Sequence, residues 1–104
     1  MRKLTLASLL LLLATPAYAD AIDGAWCREP ALRLMISGPT IVTPRGARLQ
    51  GNYDRHNFSY VIPAGEPNAG ATMQMHLLGE ELMQSRIGES GAIDSWRRCG
   101  PPVS

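Results

Sequence analysis

The sequence predicts an all-β domain: a small antiparallel meander closed into a barrel or half-barrel of about six to eight short strands, with one disulfide joining its ends. Short runs of alternating apolar and polar residues recur along the chain, glycine and proline separate them, and one cysteine lies near each end of the body. Runs of this kind at short intervals are typical of sandwiches and barrels. No window keeps a helical period for three turns.

The alternation shows which side chains share a face of the expected sheet. Leu32, Leu34 and Ile36 point one way, and Arg33 and Met35 point the other, because side chains alternate along a strand. Turn residues follow each run, and the longest such segment covers residues 63–70. The further runs lie within residues 40–43, 47–53, 58–62, 72–78, 82–87 and 92–98.

The first 19 residues have the three parts of a secretory signal peptide. Arg2 and Lys3 give a positive start, residues 4–13 are mostly apolar, and Ala17 and Ala19 form the small-x-small cleavage pattern. The apolar stretch is about half of the roughly 20 residues that a membrane anchor needs. We therefore expect cleavage of residues 1–19 and export to the periplasm or the extracellular space, with no membrane-spanning segment.

The remaining body, residues 20–104, is long enough for a single small β domain. Without Arg2 and Lys3 it carries eight arginines, no lysine and nine acidic residues, a net charge of −1. Nucleic acids and anionic membranes are recognised by a clustered basic excess, which this balance lacks. The absence of lysine also excludes a Schiff base. We expect a monomer with no nucleic-acid partner.

Cys27 and Cys99 lie near the two ends of this body and are predicted to form a disulfide. The bridge encloses most of the domain, for which the loop-entropy model gives a stabilisation of roughly 4 kcal/mol. It requires the two Cα atoms to lie within about 7 Å, so the first and last strands must be neighbours. The alternative is a redox or metal pair, but neither cysteine has a C-x-x-C partner.

Trp26 and Trp96 flank the two cysteines and are expected on one side of the closed sheet. In a domain with few large side chains they are expected to fill the core, and the alternative is contact with a ligand. Gly24-Ala25-Trp26 resembles the opening signature of lipocalin-like and avidin-like barrels, in which the tryptophan closes the barrel floor. This resemblance favours a barrel over a sandwich and carries no ligand with it.

Two short segments have residues used in catalysis, and neither predicts an enzyme. Ser90 lies in Gly88-Glu89-Ser90-Gly91, which is similar to the nucleophile segment of chymotrypsin-like proteases. A serine nucleophile also needs a base and an oxyanion hole, for which this chain is too short. Asp54 and His56 are close enough in sequence for general-base chemistry. Both segments have turn composition, so we expect hairpin turns and no catalytic residues.

Met73, Met75 and His76 are the candidate metal ligands, since thioether and imidazole groups suit Cu(I). On a strand, however, the methionines share one face and His76 takes the other. Methionine also fills irregular gaps in small cores. A copper site would need Met35, Met83 or His56 from another strand. A periplasmic copper-binding protein is therefore the alternative function, and the leading prediction has no metal or cofactor.

The arginines provide the leading functional hypothesis, because a guanidinium offers five donors in a fork suited to carboxylate or phosphate. Arg97 and Arg98 lie beside Trp96, and Arg45 and Arg48 flank a turn. We expect a non-catalytic binding or interaction module of the cell envelope. Its partner is a protein or a small anionic ligand, and the candidate contact residues are Trp26, Trp96, Arg97 and Arg98.

Overall fold

The computed structural model describes residues 21–100, which form one antiparallel sheet and its turns. The predicted signal peptide, its cleavage before Asp20 and residues 101–104 lie outside the described residues. No helix in the described part of the chain is long and apolar enough to cross a membrane. The nine strands are β1 (Gly24–Arg28), β2 (Leu32–Ser37), β3 (Thr40–Val42), β4 (Arg48–Gln50), β5 (Asn52–Asp54), β6 (Asn57–Val61), β7 (Thr72–Leu77), β8 (Leu82–Ile87) and β9 (Ile93–Arg98).

The strands follow the order β4-β3-β2-β1-β9-β8-β7-β6-β5. The two edge strands of the sheet, β4 and β5, are therefore consecutive in the chain, and the sheet curls to bring them together. Only Gly51 separates β4, which pairs with β3, from β5, which pairs with β6. The sheet is therefore a nearly closed barrel, and the predicted all-β meander is confirmed. The strand count is one above the predicted range, because Gly51 divides the run 47–53 into two strands.

Gly51 allows this junction because the chain passes very close to its neighbours there. Its N–H donates to Pro39 O at 2.8 Å. A Cβ at this position would lie 2.3 Å from Ser59 O and 2.6 Å from Phe58 Cε1. A distance under 3 Å to a backbone oxygen leaves no room for any side chain, so glycine is required where the two edges meet.

The first and last strands are neighbours, as the cysteine positions predicted. In the register of β1 and β9, Trp26 lies opposite Arg98 and Cys27 lies opposite Arg97. The Cys27–Cys99 disulfide is formed, with its Cα atoms 5.0 Å apart, and no described cysteine is free. The bridge therefore joins the two ends of the meander.

The core fills the inside of the barrel, because each strand turns alternate side chains inward. On β7, Met75 and Leu77 are buried while Gln74 and His76 are exposed, which confirms the predicted alternation. The buried core cluster consists of Ile22, Trp26, Leu34, Ile36, Ile41, Phe58, Tyr60, Ile62, Met75, Leu77, Met83 and Trp96.

Candidate functional site

One end of the barrel is sealed by the segment that precedes β1. The side chain of Ile22 is fully buried, and its N–H donates to Arg55 O in the β5–β6 turn at 2.7 Å. Its carbonyl accepts the indole N–H of Trp26 at 2.8 Å. The next residue, Asp23, accepts from Gly38 N at 2.8 Å and from the Tyr53 hydroxyl. The segment is therefore bonded to strand β1, to two turns and to β5, and forms a floor.

Arg98 completes this floor. Its guanidinium lies over the indole of Trp26, 4.2 Å from the ring centroid. Within residues 21–100 it donates to the backbone carbonyls of Ala21, Asp23 and Glu80. Since both aromatic and carbonyl partners are internal, Arg98 acts as a structural residue of the sealed end.

Gly24 makes room for that arginine, which explains the Gly-x-Trp pattern of the first strand. Its φ is +120°, which L side chains rarely adopt, and a Cβ there would lie 2.7 Å from Arg98 Nη1. In the sequence this glycine supported only a general resemblance to barrel openings. In the structure it is the position at which the floor arginine passes the first strand.

The opposite end of the barrel contains a cavity of about 290 Å³. Its walls come from inward-facing side chains of the strands, and its rim comes from the end of β1 and from the β3–β4 and β6–β7 connections. The apolar walls include Leu32, Leu34, Ile62, Met73, Met75, Ile87 and Trp96. The charged residues that line it are Arg28, Arg45, Glu66 and Asp94. We call this end the mouth.

Arg28 and Asp94 face each other across β1 and β9 at the mouth. Arg28 Nη2 lies 2.9 Å from Asp94 Oδ1, and both side chains are partly exposed. The Arg28 guanidinium also stacks on Trp96, 5.6 Å from the ring centroid. The indole N–H of Trp96 donates to the buried Ser85 hydroxyl at 2.9 Å, which fixes the ring in the cavity wall. A cation is thus held over an aromatic wall at the entrance.

The two loops that form the rest of the rim are tied together. Thr43 Oγ1 donates to Glu66 Oε2 at 2.6 Å and accepts from Ala47 N at 3.1 Å.

Burial, and secondarily the negative charge of Glu66, raises the pKa of the Tyr60 hydroxyl to about 12. With this raised pKa, Tyr60 stays a neutral phenol over the ordinary pH range. Its side chain lines the same cavity.

The acidic side chains at the mouth have hydrogen-bond partners within the protein, whereas the arginines keep donors that have none in the described part of the chain. The carboxylates of Asp94 and Glu66 each accept a hydrogen bond from a rim residue. Arg28 uses one N–H group for Asp94, and among the described residues no second acceptor is bonded to it. Arg45 is exposed and forms no salt bridge in residues 21–100. The donors left for an incoming group are therefore cationic.

The four residues predicted from the sequence to contact a ligand do not lie together. Trp96 lines the cavity, whereas Trp26 and Arg98 pack in the floor. Arg97 points outward from β9 and is exposed. Sequence reasoning missed Arg28 and Asp94. The available signal was a repeated Trp-x-Arg pattern, at residues 26–28 and 96–98, which places an arginine opposite each tryptophan on antiparallel strands.

The candidate copper ligands occupy opposite faces of β7. Met73 and Met75 line the cavity, and His76 faces outward with Nδ1 2.6 Å from Asn57 Oδ1. His56 and His76 line a common outer pocket. Within residues 21–100, no three His, Cys, Asp or Glu side chains form a metal-binding group. Ser90 lies in the β8–β9 turn and His56 in the β5–β6 turn.

Comparison of the chain with protein-family models, curated proteins and solved structures finds no match. The fold and the site therefore define the class of protein by themselves. It is a small disulfide-bonded antiparallel barrel, sealed at one end and hollow at the other.

Proposed function

We propose that the protein is a non-catalytic binding module of the cell envelope that takes a small amphipathic anion into its mouth. The observation that carries this proposal is the cavity itself, whose apolar walls end at an arginine stacked on a tryptophan. Ligand pockets are commonly apolar, with a few placed polar groups that orient the ligand. The apolar part of the ligand would contact Leu34, Met75 and Trp96, and its anionic group would lie at Arg28.

The unequal occupation of the mouth charges favours an anion over a cation. Asp94 and Glu66 are both engaged by neighbours, whereas Arg45 and the remaining donors of Arg28 are available. Arginine binds carboxylates in a planar two-bond geometry, and charge-assisted bonds of this kind are the stronger ones. A carboxylate is therefore the head group that this rim fits.

The size of the cavity restricts the ligand to a small one. About 290 Å³ is at the lower end of the range for ligand pockets, which is roughly 300–1,000 Å³. A medium-chain carboxylate has the required combination of a short apolar body and a single charge. The proposed location in the envelope is supported by the signal-like segment of residues 1–19 and by the disulfide.

Calorimetric titration with octanoate tests this proposal. We expect saturable binding that Arg28→Met weakens by about 10- to 100-fold, the loss of a hydrogen bond to a charged group. Arg97→Met is the matched control, because Arg97 lies on the neighbouring strand but points to the outer face. It should leave the affinity unchanged. Absence of octanoate binding, or equal loss in both variants, would contradict the proposal.

A further inference from the structure

A second concave surface lies on the outer face of β5 to β8, away from the mouth. It is a groove of about 670 Å³. Strand register places its side chains in two rows across the strands. One row consists of Asn52, Ser59, Gln74 and Arg86, and the other of Asn57, His76 and Gln84. We call this surface the amide groove.

The amide groove offers paired hydrogen-bond donors and acceptors at regular spacing. Each of its four carboxamides carries two N–H donors and a carbonyl acceptor. Neighbouring strands are about 4.8 Å apart, so a row across four strands extends about 14 Å. The contact between His76 Nδ1 and Asn57 Oδ1, at 2.6 Å, orients two of these side chains. The surface is therefore an array of polar side chains in which carboxamides predominate.

Arg86 adds to this array a hydrogen-bond donor that lacks an acceptor in the described part of the chain. Its Nε is buried, and within residues 21–100 it has no hydrogen-bond partner. A buried N–H without an acceptor is unfavourable and uncommon in native proteins. Because the Arg86 side chain lines the groove, its guanidinium is positioned to donate to an acceptor on a bound molecule.

The surroundings of the groove argue against a peptide or a nucleic acid as its occupant. An extended peptide adds to a free sheet edge, but most of the groove lies on the faces of β6, β7 and β8, which are paired on both sides. The edge strand β5 has only three residues, which is short for pairing with a peptide. The groove holds one arginine and one aspartate, Asp54, so it lacks the basic excess that phosphates require. Its outward side chains are polar apart from Ile93. The remaining class of ligand is one that carries many hydroxyl groups.

We propose that the amide groove binds a short oligosaccharide. Each carboxamide both donates to and accepts from the ring hydroxyls of the sugar. Arg86 donates to the most electron-rich oxygen of the sugar. This site differs from the mouth, since its carboxamides and Arg86 lie on the outward faces of the strands and only Met75 and Ser85 line both surfaces. Its occupation therefore does not depend on the carboxylate site.

Nuclear magnetic resonance tests the site directly with two probes, chitotriose, which is neutral, and trigalacturonic acid, which carries carboxylates. We expect saturable shifts of the side-chain NH₂ signals of Gln74 and Gln84 and of the Nε–H signal of Arg86 with at least one of the two probes. Binding of both indicates hydroxyl recognition. Binding of trigalacturonic acid alone shows that Arg86 receives a carboxylate.

Variants separate the groove from the rest of the surface. Arg86→Gln and, as a milder change, Gln84→Ala should each weaken binding by about tenfold, the loss of one strong hydrogen bond. Gln50→Ala is the matched control, because Gln50 is an exposed glutamine that does not line the groove. No shift with either sugar overturns the proposal. So do shifts confined to the Trp96 indole, which would place the sugar in the mouth.

Discussion

The two ends of the barrel carry the same pair of side chains, an arginine stacked on a tryptophan, in different surroundings. At the floor, Arg98 is 4.2 Å from the Trp26 centroid and donates to three backbone carbonyls. At the mouth, Arg28 is 5.6 Å from the Trp96 centroid and meets one partly exposed carboxylate. Backbone acceptors fix the first arginine as structure. The second remains available to a ligand, because its partner is a side chain.

Exchanging each arginine for methionine should give the largest contrast between the two ends. Arg98→Met keeps an apolar stem but leaves three carbonyls and a tryptophan face without their partner, so we expect about 3 kcal/mol of destabilisation. Arg28→Met removes a partly exposed ion pair and should cost about 1 kcal/mol or less. Urea denaturation of both variants measures this difference. Equal losses would mean that the mouth arginine is also structural.

Closure of the barrel depends on the absence of a side chain at Gly51. Gly51→Ala places a methyl group 2.3 Å from Ser59 O, where a backbone atom must move. We expect about 2 kcal/mol of destabilisation, as for overpacked sites. Gly79→Ala is the matched control, because nothing lies within 4 Å of its Cβ position. It should change the unfolding free energy by no more than about 0.5 kcal/mol. A neutral Gly51→Ala would contradict the close approach of the two edges.

Tyr60 gives the mouth a distinct response to alkaline pH. Its pKa is raised to about 12, from about 10 for a free tyrosine. The folded state therefore holds the proton more tightly, and this contribution to stability is present below pH 10 and lost between about pH 10 and pH 12. Denaturation of the wild type and of Tyr60→Phe across this range measures it. The variant should lose less stability, and parallel curves would refute the assignment.

Tyr53 serves as the control at the floor. Its hydrogen bond to Asp23 is the main cause that raises its pKa, and burial contributes second. Tyr53→Phe should leave the Tyr60 ionisation in place. Phenolate absorbance of the two single variants then assigns the alkaline transition to one end of the barrel.

The smallest expected effects concern β7 and distinguish a core strand from a copper site. Met75→Leu conserves volume and should cost less than about 1.5 kcal/mol. His76→Ala, on the exposed face, should change stability by at most about 0.5 kcal/mol. We expect Cu(I) to leave the melting temperature of the wild type unchanged with the disulfide intact. A rise that each substitution removes would establish the copper-binding alternative, since a ligand of the folded state stabilises it.

The strands and the disulfide were predictable because both depend on simple patterns. Alternation over six residues placed Leu34 and Ile36 inside the barrel, and two cysteines in the body allowed one intramolecular pairing. The additional strand was not predictable. The run 47–53 keeps its alternation through Gly51, and only the close approach of Ser59 divides it.

The site was harder to predict, because its parts are distant in sequence. Arg28 and Asp94 are 66 positions apart, and the cavity is shaped by loops whose positions depend on contacts such as that of Thr43 with Glu66. The floor depends on backbone carbonyls that accept from Arg98. Every residue has such a carbonyl, so the sequence does not show which ones Arg98 contacts. The arginine content therefore led to the hypothesis of an anion site, but it did not distinguish Arg28 from Arg98.

The most direct test of the account follows the two indole N–H signals in a ¹H–¹⁵N spectrum during titration with octanoate. The Trp96 N–H donates to Ser85 in the cavity wall, and the Trp26 N–H donates to Ile22 in the floor. We predict that the Trp96 signal moves saturably while the Trp26 signal stays in place. Movement of the Trp26 signal alone, or of neither signal, would contradict a barrel that is sealed at one end and binds its ligand at the other.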